Sequence, residues 1–174
     1  MSEQNTTRLL QHIAVISEFC RLLGDIGKTK LQKLTYLLQE AQGASIGYSF
    51  RLHHYGPFSD ELDDDLSVAE ALGIVTIERD EDGYGFHLKP APNANTKRLP
   101  NLGTTSSGIS RLVSEFGQFD ASSLEVIATV HYVAKQLKKP TANEVVKTVA
   151  SLKPRYTRVY IQAVYDSLLA SKHI

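Results

Sequence analysis

Between residues 59 and 88 the hydrophobic period of the chain changes, and this constrains the fold more than any other feature. Leu62, Leu66, Ala69 and Leu72 recur at helical spacing. Ser59 stands ahead of them as a side-chain N-cap, and Asp60 and Glu61 put carboxylates in the first turn, where the helix dipole favours them. Gly73 stops the helix. Ile74-Val75-Thr76-Ile77-Glu78 then reads as a strand, Asp82-Gly83 as a turn and Tyr84-Gly85-Phe86-His87-Leu88 as the returning strand. A lone hairpin is marginal in water, so this one must pack on helices or pair with the other β-prone run, Tyr48 to Tyr55.

Helical stripes precede this segment. Leu9, Ile13, Ile16, Cys20 and Leu23 form one, ended by the breaker Gly24-Asp25-Ile26-Gly27. Leu31, Leu34, Leu38 and Ala41 form a second, capped by Thr29 and stopped by Gly43. Residues 90–106, rich in Pro, Asn, Ser, Thr and Gly, have no apolar period. Four helices are expected after them. One spans Ser107 to Phe116. A long one, Leu124 to Leu137, is capped by Ser122 or Ser123 and is apolar on most sides. A third, Ala142 to Leu152, is opened by a Thr141/Glu144 capping box, and the last begins at Pro154. The expected fold is therefore mainly α, in the α+β class. A winged-helix-like half at 1–89 has the hairpin as its wing, 90–106 is a linker, and 107–174 is a helical, helix-turn-helix-like half.

The formal net charge is zero, but the charges are unevenly distributed. Residues 59–82 carry ten acids against the single base Arg79, and residues 135–174 carry eight bases against Glu144 and Asp166. Two surfaces of opposite sign are expected. One cysteine excludes an intrachain disulfide, no apolar run approaches the roughly 18 residues that span a bilayer, and the N-terminus is polar. The expected location is the cytoplasm, with no contact to a membrane.

No catalytic pattern emerges. Gly27-Lys28-Thr29 matches the end of a phosphate-binding loop, but Leu22 stands where its first glycine belongs, and a helix precedes it instead of a strand. His53 and His54, adjacent on a strand, point to opposite faces, and the other histidines lack ligand spacing. Asp63-Asp64-Asp65 fans over about 200° of a helix and reads as a solvated face. Cys20 belongs to an apolar stripe and has no activating neighbour in sequence. No enzyme activity, metal or cofactor is expected.

Two binding surfaces are expected instead. The acidic helix and the aromatic residues before it (Tyr55, Phe58, Asp60, Asp63 and Asp64) suit another protein, or a second copy of the chain. The final helix carries Arg155, Arg158 and Gln162 on one face with Lys153 beside them. That set suits DNA, because Arg and Gln read base edges and Lys and Arg neutralise phosphates. The acids of the third helix would repel DNA from the surface where a winged helix usually docks it.

Lys30-Leu31-Gln32-Lys33-Leu34-Thr35-Tyr36-Leu37-Leu38-Gln39, followed by Tyr55-Gly56-Pro57-Phe58-Ser59-Asp60-Glu61-Leu62, resembles the Panacea (SocA-type antitoxin) domain and the related YwgA-like family. These share a Lys-Leu-Gln-Lys-Leu helix and a Tyr-Gly-Pro turn that leads into a Leu-bearing helix. Leu124 to His131, with Lys153-Pro154-Arg155-Tyr156-Thr157, is closer to the YwgA-like group. The resemblance implies a non-enzymatic regulator that binds a partner protein, a toxin in the antitoxin case, and it carries over no catalytic residue. The motif residues also have physical roles on their own: Gly56-Pro57 sets the turn that aims the acidic helix, and Lys30 and Lys33 are expected to pair with that helix or with a partner.

Overall fold

The computed structural model describes residues 3–80, 83 and 85–174. Among them the chain is mainly helical, with small antiparallel sheets. Its elements are α1 (Glu3–Leu23), β1 (Ile26–Gly27), α2 (Lys28–Glu40), β2 (Arg51–His53), β3 (Gly56–Phe58), α3 (Asp60–Ala71), β4 (Val75–Arg79) and β5 (Phe86–Pro90). A 3-10 turn (Thr96–Arg98) precedes α4 (Thr104–Phe116), α5 (Ala121–Gln136), α6 (Ala142–Leu152) and α7 (Arg158–Ala170). The expected turn at Asp82 and the expected strand start at Tyr84 lie outside the described residues.

Two helices form the centre. Every residue of α2 from Leu31 to Leu38 is buried, as is every residue of α5 from Leu124 to His131. The two pack against each other. α4 also packs on α2, α1 packs on α4, α6 and α7 cover α5, and α3 lies on α1. The sequence marks α5 as central. It makes α2 look one-sided, because Gln32, Lys33 and Thr35 are polar, and burial there requires internal partners. A single hydrophobic cluster takes in Ile13, Phe19, Leu34 and Leu66 together with Leu124, Val130, Val149 and Ile161. It therefore draws on the chain from both sides of 90–106.

The β4–β5 hairpin packs on α1, α2 and α3, one of the two arrangements expected for it, and does not pair with the Tyr48–Tyr55 run. Its partner is β1, within the stretch read as a breaker, and the sheet order is β1-β5-β4 with Leu88 opposite both Ile26 and Ile77. The Tyr48–Tyr55 run contributes only β2, which pairs with β3 in a second hairpin, so Gly56-Pro57 is strand and His54-Tyr55 is the turn.

Several helix ends also move. Ser59 caps α3 through Leu62 N, and Thr141 and Glu144 form the full capping box of α6. α5, however, is capped by Asp120, which accepts from Ser123 N, and α2 starts at Lys28 after Gly27 with no side-chain cap. α7 starts at Arg158, because Thr157 accepts from Tyr160 N, so Pro154 to Tyr156 form the preceding turn. Leu72, assigned to the buried stripe of α3, is 55% exposed; the helix ends at Ala71 and the chain turns away.

No helix among the described residues is long and apolar enough to cross a membrane.

Candidate functional site: a hairpin held by buried charge

The short β2–β3 hairpin lies against α2 and α5, and polar side chains that are almost fully buried hold it there. Gln32 makes a reciprocal pair with Ser59, donating from Nε2 to the carbonyl at 2.9 Å and accepting from Ser59 N at 3.0 Å. Lys33 Nζ donates to Pro57 O at 2.7 Å. From the far end of the chain, Lys153 Nζ donates to His54 O. Glu125, the only acid in α5, pairs through Oε1 with Lys153 Nζ at 2.8 Å and through Oε2 with Arg155. Arg155 in turn lies over the Tyr156 ring, 4.8 Å from its centroid.

Gly56 is the contact point with α5. Its φ of +86° is left-handed, and a Cβ there would stand 3.0 Å from Thr129 Oγ1 and 3.3 Å from Glu125 O. Only glycine satisfies both conditions, and the contact brings the hairpin down onto the charge cluster.

Lys33, Glu125 and Lys153 are 1%, 3% and 5% exposed. Burial is the main reason the Lys33 ammonium is pulled down to about 8; Glu125 opposes the shift and Lys153 reinforces it. Beside Lys33 lies a cavity of about 170 Å³, lined by Lys28, Gln32, Lys33, His53, Tyr55 and Phe58 among others. Tyr55, at the hairpin tip, is 53% exposed and meets the His54 ring edge-on; Phe58 leans on His53.

This arrangement joins residues that the sequence assigned to separate surfaces. Tyr55 and Phe58 line the cavity, while Lys153 and Arg155, expected on a DNA-facing helix, anchor the same hairpin from behind. Lys153 is buried, Arg155 lies in a turn and not on α7, and Gln162 donates to Asp166 Oδ1 at 2.9 Å. Of the four, Arg158 alone is exposed with no side-chain partner among the described residues.

The acids of α3 are largely matched by bases from other elements. Asp60 takes a two-pronged contact from Arg51, Glu61 pairs with Arg8 at 2.7 Å and Asp63 with Lys28 at 2.6 Å; Asp64 stays exposed and unpaired. Asp65, read as part of a solvated face, is buried. It accepts from Tyr48 OH at 3.0 Å and meets His12 Nδ1 at 2.7 Å, while His12 Nε2 faces Ile46 O. Desolvation and this carboxylate push the Tyr48 phenol far up.

A larger cavity of about 410 Å³ is lined by Glu40, His131, Lys135, Tyr165 and His173 among others, but its Glu40, His131, Lys135 and His173 side chains already have partners. The Tyr36 hydroxyl is 2.7 Å from His131 Nδ1, Lys135 pairs with Glu40, and His173 with Glu115. Burial lowers His131 to about 4, so its ring is neutral near pH 7. Burial lifts the Cys20 thiol to about 12, which leaves it unreactive. Among the described residues no three His, Cys, Asp or Glu side chains form a group that could hold a metal ion.

The sequence points to Tyr55 and Phe58 and offers Lys33 as a pairing residue, but misses Gln32 and Glu125. The available signal was Glu125, a lone acid inside a helix apolar on most sides.

No protein-family model matches the chain, and neither does any curated protein.

Proposed function

We propose that the chain is a non-enzymatic regulator that binds a partner protein, antitoxin-like in kind, through the tip of the β2–β3 hairpin. One observation carries this reading: buried charged side chains fix a hairpin whose tip leaves Tyr55 half in solvent. Buried ion pairs add little net stability, because desolvation offsets their attraction; their best-attested use is to select one conformation. A rigid, exposed aromatic with His53 and Phe58 on the same cavity wall suits a binding hot spot, and its pre-organisation lowers the entropy lost on binding.

The element order α1-β1-α2-α3-β4-β5, with sheet order β1-β5-β4, is read here as a winged helix with an extra hairpin between its second and third helices. The two segments quoted for the resemblance to the Panacea and YwgA-like families meet in space, since Gln32 and Lys33 hold Pro57 and Ser59. The DNA reading keeps only Arg158 of its four residues free, so the protein-binding reading is preferred.

The test begins with the protein that co-purifies with the chain from its own host, identified and then prepared pure. Tyr55→Ala should leave the circular dichroism spectrum unchanged and weaken the complex by at least about tenfold, the scale of a hot-spot aromatic. Equal affinity for wild type and variant would remove the hairpin from the interface. Charge reversal at Asp60, Asp63 and Asp64 shows whether α3 shares that interface. Binding to mixed duplex DNA with a steep salt dependence would favour the DNA reading instead.

A further inference from the structure

We propose that the cavity beside the hairpin receives one carboxylate side chain, an aspartate or glutamate of the partner protein, which supplies the counter-ion that Lys33 lacks. The proposal rests on the protein-binding reading above and adds the chemistry of the group recognised.

Two ammonium groups, Lys33 and Lys153, are buried beside one carboxylate, Glu125; the other buried acid, Asp65, is held elsewhere by His12 and Tyr48. Glu125 is committed through one oxygen to Lys153 and through the other to Arg155. Arg155 is half in solvent, so the buried cluster holds one positive charge in excess. Lys33 has a single neutral acceptor, Pro57 O, for its three N–H donors. Buried charges are normally paired, and this one has no ion pair of its own among the described residues.

The cavity supplies the way in. Lys33 lines it and no Asp or Glu does. Lys28, the other cation on its wall, is already paired with Asp63. The volume of about 170 Å³ equals that of five or six waters at roughly 30 Å³ each. It suits one side chain and falls below the range of about 300–1,000 Å³ that holds small-molecule ligands. A single negative charge balances the excess; a phosphate dianion would exceed it and leave the interior negative. Tyr55, Phe58 and His53 at the wall offer aromatic faces to the methylenes behind the carboxylate.

The test needs no knowledge of the partner. Full-length protein with labelled lysine is titrated with N-acetyl-glutamate amide, with its glutamine analogue and with inorganic phosphate, at constant ionic strength. The Lys33 Cε and Nζ resonances report binding. The expected result is saturable movement with the glutamate probe, at least about tenfold tighter than with the glutamine probe. A rise of about one unit in the Lys33 titration midpoint should accompany it, since a counter-ion favours the charged form. Lys33→Met, a swap of similar length, should abolish the discrimination between the two probes, read from the Lys28 resonances on the same cavity wall, provided its circular dichroism matches wild type. Tyr55→Ala, at an exposed position, should weaken the glutamate probe without unfolding the chain. Three results overturn the proposal: Lys33 unmoved, both amide probes binding equally, or phosphate binding more tightly than glutamate. If the probes fail while Tyr55→Ala still weakens the protein complex, the carboxylate pocket falls and the hairpin interface stands. If the probes bind but the complex ignores Tyr55, the interface falls and the pocket stands.

Discussion

Lys33 carries a cost that depends on pH. Its folded-state value of about 8 lies below the 10.5 of a free lysine, chiefly because burial disfavours the ammonium form. Below pH 8 both the native and the unfolded chain hold the proton, and the native state bears the full desolvation cost. Between pH 8 and 10.5 the unfolded chain keeps a proton that the native chain has released, so the contribution of this residue to stability rises with pH. The full difference is on the order of 3 kcal/mol. Lys33→Met removes the charge but leaves Pro57 O without its donor, so its absolute effect is a sum of opposing terms. The pH dependence isolates the charge. In urea unfolding, the stability of Lys33→Met relative to wild type should fall by roughly 2–3 kcal/mol between pH 7 and pH 10. An unchanged difference would mean that Lys33 does not lose its proton in this range. An acidic group bound in the cavity pulls in the opposite direction, towards the ordinary lysine value.

At the level of elements, the hairpin depends on Gly56. Alanine there meets two penalties. The left-handed backbone costs a non-glycine residue about 1–2 kcal/mol, and the added methyl presses on Thr129 Oγ1 and Glu125 O, an overpacking of about 1–3 kcal/mol. Gly56→Ala should therefore destabilise the fold by about 2–4 kcal/mol in urea and speed amide exchange over residues 51–58 before other segments respond. Gly83→Ala offers a control: it has a similarly positive φ, but nothing among the described residues lies within 4 Å of the added methyl, so the backbone penalty is the one expected. Which elements were legible in the sequence follows from how local their signals are. Ser59, Thr141 and Glu144 act within three residues, and both caps they make are present. β1 has two residues and no period to detect, and it is a strand only because β5, some sixty positions away, lies beside it. The start of α7 was misplaced because Pro154 and Thr157 both signal a helix start, and the hydroxyl of Thr157 satisfies a backbone N–H that a proline ring does not.

For the molecule as a whole, charge counted along the chain differs from charge arranged in space. The acidic run of α3 is real, but Arg8, Lys28 and Arg51, drawn from α1, α2 and β2, answer most of it. The basic tail loses Lys153 to the interior. The aromatic part of the candidate site was legible because Tyr55 and Phe58 flank a Gly-Pro turn signal. Its charged part was not, since Lys33, Glu125 and Lys153 become neighbours only when α2, α5 and the turn before α7 assemble. That assembly has a measurable consequence. α2 and α5 come from opposite sides of residues 90–106, yet each is the other's packing partner, and one hydrophobic cluster includes both. Neither can lose its partner without exposing Leu31, Leu34, Leu124 and Val130 to water. Unfolding should therefore be one cooperative transition, with calorimetric and van't Hoff enthalpies equal and with circular dichroism coincident with tyrosine fluorescence, the chain having no tryptophan. Leu34→Ala, at a fully buried site in α2, should cost about 2–5 kcal/mol. If the core is continuous, that loss must raise amide exchange in α5 as much as in α2. Two resolved transitions, or a Leu34 variant that frees α1–α3 while α5–α7 stay protected, would show that the two segments fold independently.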